Sequence, residues 1–224
     1  PSHPHRGFET VTYMLDGRLR HKDNHGNEGV LVPGSVQWMT AGRGLVHSEM
    51  PEQVEGLMRG FQLWINLPAR DKMSAPRYQE YAPERIPLVD AGGGVRAKVI
   101  AGSVAGVRGP IEAPATDPTY LDLHLDADAR FAHDLPADYN AFAYAFEGSA
   151  WIGEGNEAAR IDKGELAVLG EGQRVVVKAG TQPARVLLLA GRPLREPVAK
   201  YGPFVMNTAE EIHQAIADLR AGRF

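Results

Sequence analysis

Gly42-Arg43-Gly44-Leu45-Val46-His47-Ser48-Glu49-Met50 is the stretch from which the fold can be read. Two glycines permit a tight bend. The run after them alternates, so on an extended strand His47 and Glu49 share one face and Val46 and Ser48 the other. His3-Pro4-His5, at the start of the chain, has the same spacing. If both stretches are extended, each aims two metal-competent side chains at one spot. Three imidazoles and one carboxylate suit a divalent first-row transition metal and leave an octahedral ion two open positions. The expectation is a β-structure with metal ligands His3, His5, His47 and Glu49.

The rest of the chain keeps a β rhythm. Glycine (25) and proline (16) recur between short alternating or apolar runs, as in a sandwich or barrel. Strands are predicted over 7–15, 19–22, 36–40, 45–49, 57–66, 95–101, 120–125, 141–146, 150–152, 165–169, 174–178 and 184–190. Asp16-Gly17, Asn24-His25-Gly26, Pro33-Gly34, Glu147-Gly148 and Ala179-Gly180 supply turn chemistry. There is an internal echo: Tyr13-Met14-Leu15-Asp16-Gly17 matches Tyr144-Ala145-Phe146-Glu147-Gly148, and Val32-Pro33-Gly34-Ser35-Val36 matches Asp162-Lys163-Gly164-Glu165-Leu166. Two copies of one β-unit are expected. The breaks through Pro83, Pro87 and Gly92-Gly93-Gly94, and from Gly109-Pro110 to Pro118, put the units at 1–108 and 109–224. Thr208-Ala209-Glu210-Glu211 reads as a capping box, with Ile212, Ala215, Ile216 and Leu219 as the apolar stripe of a C-terminal helix.

Composition bounds the function. Hydrophobic residues make up 43% and charged ones 23% of 224 residues, with no cysteine. Thiolate metal sites, disulfides and cysteine nucleophiles are excluded, and a reducing, cytoplasmic location is expected. No run approaches the roughly 18 apolar residues of a membrane span. A net charge of −4 offers no broad attraction for nucleic acid.

The segments His3-Pro4-His5-Arg6-Gly7-Phe8-Glu9-Thr10-Val11, Gln37-Trp38-Met39-Thr40-Ala41-Gly42-Arg43-Gly44, His47-Ser48-Glu49-Met50-Pro51, Gln62-Leu63-Trp64-Ile65-Asn66-Leu67 and Gly202-Pro203-Phe204-Val205-Met206-Asn207-Thr208 resemble the pirins, two-domain members of the cupin superfamily. The resemblance implies two tandem cupin domains, jelly-roll-type β-barrels, with a C-terminal helix. The first would bind metal and the second would not. It places the ligands on His3, His5, His47 and Glu49 and makes the ion Fe2+, although the donor set also suits manganese, cobalt, nickel, copper or zinc. It also implies an upstream segment before His3 that supplies early strands.

The activity implied is that of a quercetin 2,3-dioxygenase, with a small aromatic substrate and O2, and Glu49 as both ligand and catalytic proton acceptor. A redox-sensing regulatory protein that works through a protein partner is the alternative. A sugar- or small-acid-modifying cupin ranks third, because the cavity candidates Trp38, Met39, Phe61 and Trp64 are apolar and aromatic. Glu9 shares the parity of His3 and His5 and is expected near the cavity. His21 and His25 read as solvated turn residues, His213 as a helix-surface residue and Arg6 as half of a structural ion pair.

Overall fold

A computed structural model describes residues 1–52 and 55–224. The chain packs as two compact units: Pro1–Arg85 with Leu194–Phe224, and Ile86–Pro193. In the first unit the strands are β1 (His3–His5), β2 (Phe8–Asp16), β3 (Leu19–Asp23), β4 (Glu28–Leu31), β5 (Val36–Thr40), β6 (Leu45–Pro51), β7 (Arg59–Asn66) and β8 (Arg77–Tyr81). The second unit carries β9 (Leu88–Gly92), β10 (Val95–Ala101), a small hairpin of β11 (Ser103–Val104) and β12 (Val107–Arg108), β13 (Thr119–Leu125), β14 (Arg130–Asp134), β15 (Asn140–Glu147), β16 (Ser149–Ile152), β17 (Ala159–Asp162), β18 (Leu166–Val168), β19 (Arg174–Ala179) and β20 (Ala184–Gly191). The chain then returns to the first unit with β21 (Ala199–Tyr201), β22 (Phe204–Met206) and helix α1 (Ala209–Arg220).

The all-β architecture with a C-terminal helix is therefore present, but the units divide elsewhere than at 108/109. Gly92-Gly93-Gly94 is not a linker. All three residues take positive φ and form the turn between β9 and β10, and β10 pairs with β13 of the second unit. The helix packs on the first unit, not the second: Ile212 and Ala215 bury against Phe204 and Met206. Its predicted capping box is formed, with Thr208 accepting from the Glu211 amide and Glu211 accepting from the Thr208 amide.

The internal echo is visible in the strand order. The first unit has sheets β1-β6-β3-β4 and β7-β2-β5-β8; the second has β14-β19-β16-β17 and β18-β15-β20-β13-β10-β9. The first pair match strand for strand, and β7-β2-β5 recurs as β20-β15-β18. Even the irregularities repeat. A register shift falls between Met14 and Asp16 opposite Arg59, and another between Ala145 and Glu147 opposite Arg185. Each shift leaves an acid beside an arginine, Asp16–Arg59 at 2.8 Å and Glu147–Arg185 at 3.5 Å. The Gly34 amide donates to the Met14 carbonyl at 2.8 Å, and the Gly164 amide to the Ala145 carbonyl at 2.8 Å. The bulge-and-turn chemistry is thus what the two matching motifs encode.

The two interiors differ. The second is lined by Val95, Leu121, Leu123, Phe131, Val177 and Leu188 among other apolar side chains. Each fully buried residue of this kind contributes roughly 1.5–3 kcal/mol, so apolar packing alone can hold that unit. The first buries a far more polar set, including His5, Thr12, His21, Asp23, Gln37 and His47.

Candidate metal centre

Strand register brings the two histidine-bearing stretches together. β1 pairs antiparallel with β6, with His3 opposite His47 and His5 opposite Leu45. Directly opposed residues point to the same side of a sheet, so His3, His5 and His47 all project inward. Ring centroids lie 4.7 Å apart for His3–His5, 4.4 Å for His3–His47 and 4.9 Å for His5–His47. One nitrogen from each ring lies within 4.8 Å of the others. Gly7 ends this strand pair with φ 87°, and a Cβ there would stand 2.1 Å from the Val205 carbonyl oxygen. Glycine is therefore required where β1 bends into β2.

The rings are prepared as ligands. Burial, then the neighbouring His47 and His3, pushes the His5 imidazole down to about 3, with the Pro203 carbonyl opposing. Burial likewise lowers His47; His3 and His21 add to the shift, and Glu49 and Asp23 oppose it. Both rings are neutral at pH 7 and present a lone pair. No described group makes a well-formed hydrogen bond to either ring nitrogen of His5 or His47. Buried polar atoms left this way cost free energy, and a cation in their midst removes the cost. The His3 Nδ1 lies 2.9 Å from the Pro1 carbonyl oxygen, a contact that fixes the tautomer and turns Nε2 toward a metal. The residues fit a divalent first-row ion.

Glu49 stands slightly apart. Its Oε2 is 3.9 Å from His47 Nε2, and the tight cluster comprises the three histidines without it. Gln62 Nε2 donates to Oε1 at 3.0 Å and to Oε2 at 2.8 Å, and Thr12 donates to Oε1 at 3.3 Å. Gln62 therefore aims the carboxylate. Gln62→Leu should weaken metal binding by about tenfold or more, in the range found when groups that orient a ligand are removed. Competition with a chromogenic chelator measures this, and unchanged affinity would show that the amide has no such role.

Several other expectations are corrected. Glu9 does not line this interior. The bend at Gly7 breaks the parity with β1, and Glu9 and Thr12 stand three positions apart on β2, so the two face opposite ways. Thr40 donates to Glu9 at 2.6 Å, and burial raises the Glu9 carboxyl against the hydrogen bonds of Thr40 and Trp38. His21 is not solvated. It is 4% exposed, lies opposite Glu49 and places Nε2 2.7 Å from Glu80, which in turn accepts from Gln37 at 2.9 Å. Tyr78 stacks on it, centroids 5.9 Å apart. The interior near the histidines is thus more polar than the apolar cavity expected. Trp64 keeps the role of wall: 40% exposed, its ring lies 5.5 Å from His5 and 4.5 Å from Phe8. Trp38 and Phe61 pair with Val11 and Tyr13 and face away. His25 and His213 are exposed as expected, and Arg6 finds its acid in Asp218 at 2.7 Å.

The second unit has lost the set. The register that puts His3 opposite His47 puts His133 opposite Val175, and that which puts His21 opposite Glu49 puts Ile152 opposite Val177. The Thr12–Gln62 pair becomes Ala143–Leu188. Only His133 survives, and Leu135, Val175 and Val177 stand where His5, His47 and Glu49 do.

Comparison with known proteins agrees with this architecture. The Pirin family model matches residues 1–65, and the model of the Pirin C-terminal cupin domain matches 120–224. A pirin-like protein of Caulobacter vibrioides is 54% identical over 225 residues, covering 100% of this chain and 80% of that one. Human pirin is 45% identical over 223 residues, covering 98% and 76%. A crystal structure of quercetin 2,3-dioxygenase from Acinetobacter baumannii superposes with a TM-score of 0.93 at 36% identity, covering 100% of this chain and 78% of that one. No helix among the described residues is long and apolar enough to cross a membrane. Both halves match models of one family, and relatives of that family align along nearly the whole chain: it belongs to the pirin family.

Proposed function

We propose that the chain is a metal-dependent dioxygenase of the quercetin 2,3-dioxygenase type, with Fe2+ held by His3, His5, His47 and Glu49 and a flavonol-like aromatic as substrate. The supporting observation is the convergence of three imidazoles, two of them (His5 and His47) buried, neutral and without well-formed hydrogen bonds, beside an oriented carboxylate. The likeness to the Acinetobacter baumannii quercetin 2,3-dioxygenase points to the same chemistry. In that reaction both atoms of O2 enter the ring-opened product and one ring carbon leaves as carbon monoxide.

A bound divalent ion supplies Lewis acidity that makes a substrate hydroxyl more acidic, and a redox-active centre for dioxygen. The side chains do the rest. Glu49 Oε2, held by Gln62, is placed to take the hydroxyl proton. Trp64 offers a flat, half-open face next to His5, against which a planar aromatic can stack. Glu80, 2.7 Å from His21 Nε2 and accepting from Gln37 at 2.9 Å, keeps this part of the interior polar.

The test is oxygen uptake by the iron-loaded chain with a panel of flavonols, with carbon monoxide measured in the headspace. Uptake with stoichiometric carbon monoxide supports the assignment. A fully metal-loaded chain that consumes no oxygen with any flavonol would overturn it and favour the redox-sensing binding protein.

A further inference from the structure

A pocket of about 500 Å3 opens in the second unit, within the range of about 300–1,000 Å3 that small-molecule sites occupy. It occupies the place that the metal centre has in the first unit. Leu135 and Val175 hold the positions of His5 and His47, Ile152 that of His21, and Ala141 and Ala167 those of Thr10 and Gln37. All five line it. Where the first unit carries histidines and other polar side chains, the second thus has an apolar wall around an open space. Apolar surface facing water in a concavity is a cost that a ligand can remove.

The rim carries a net negative charge. Glu154, Glu157, Glu171 and Arg174 reach the mouth. Arg174 is tied to Asp134 by two hydrogen bonds, at 2.7 and 3.2 Å, and Glu154 is paired with Arg130. That leaves Glu157 and Glu171 as excess negative charge over an apolar floor. We propose that the second unit binds a small organic cation with an apolar body, of arylalkylamine type: the hydrocarbon or ring enters between Leu135, Ile152 and Val175, and the ammonium stays at the rim beside Glu157 and Glu171. Such a site is separate from the metal centre and uses none of its residues.

Three probes share an indole ring and a two-carbon side chain and differ in the charge of the group that ends it: tryptamine, tryptophol and indole-3-propionate. They are titrated into the full chain by calorimetry, with binding mapped by NMR. Saturable tryptamine binding is expected, with shifts at Leu135, Ile152 and Val175, about tenfold tighter than the acid; that is the upper end of what two exposed carboxylates supply. Ala167→Phe fills the space and should abolish it. Glu157→Gln with Glu171→Gln, at exposed positions that leave the core untouched, should bring tryptamine down to the affinity of tryptophol. Tryptamine that fails to saturate, binds no tighter than the acid, or keeps its advantage in the double rim variant would overturn the proposal, whether or not Ala167→Phe folds.

Discussion

His47→Val is expected to empty the first unit of metal while leaving it folded. His47 lies opposite His3 and within 4.9 Å, ring to ring, of His5, so its loss leaves two imidazoles on one strand and a carboxylate with no ligand between. Metal content, measured by mass spectrometry, should fall from about one ion per chain to background, because a set this incomplete does not outcompete water. Oxygen uptake with a flavonol should vanish with it. The valine copies Val175, which the second unit already carries in this place. In the metal-free protein the change removes a buried imidazole that has no well-formed hydrogen bond, so the melting temperature should stay level or rise. The wild-type chain alone should gain stability on adding metal, since binding to the folded state stabilises it by mass action. A His47→Val chain that keeps stoichiometric metal would remove the basis for the centre.

The two extended stretches were legible because period two needs no context. His47 and Glu49, and His3 and His5, had to share faces in any strand, and the glycines around them forced the bends. The duplication was legible for a similar reason: a bulge, an acid and a positive-φ glycine leave a mark that survives divergence. Two edge strands left no mark. β8 reads Arg-Tyr-Gln-Glu-Tyr and β17 Ala-Arg-Ile-Asp, polar runs that become strands only because β5 and β16 offer them partners. The unit boundary was misplaced for the same cause: β9 and β10 belong to whichever sheet they join, and no local feature of 88–101 states that it is the second. Glu9 and His21 went wrong in opposite ways. Glu9 was assigned by parity carried across Gly7, where a bend resets it. His21 was read as a turn residue, although a carboxylate, Glu80, waits on β8, a strand that was not foreseen. The first interior is polar because distant strands supply partners in pairs, and pairing across strands does not show in a one-dimensional pattern.

Asp218→Ala is the substitution expected to destabilise the first unit most. Arg6 sits between His5 and Gly7, 3% exposed. Its Nη1 donates to Asp218 at 2.7 Å and its Nε to the Arg43 carbonyl at 2.5 Å, and the guanidinium lies 4.3 Å over the Phe224 ring. Asp218 also accepts from Gln214 at 2.7 Å and from Arg223 at 3.0 and 2.5 Å. Helix α1 thus holds the strand that carries His3 and His5. Removing the carboxylate leaves a buried guanidinium uncompensated, which costs about 3–5 kcal/mol. For a chain of this size, that lowers the melting point by about 6–20 °C. The Asp218 carboxyl is held well below the usual carboxylate range, by Arg6 first and Arg223 next. A depressed folded-state value contributes stability above the unfolded carboxyl's titration near about 4, and that contribution is lost as pH falls toward the folded value. The gap between wild type and Asp218→Ala should therefore be full at pH 7 and narrow below about pH 4. Because β1 loosens with the helix, chelator competition should show weaker metal binding at pH 7, although residue 218 touches no ligand. Equal melting points at pH 7, scanned without metal, would show that the ion pair does not anchor β1 and that the strand holds its histidines by sheet pairing alone.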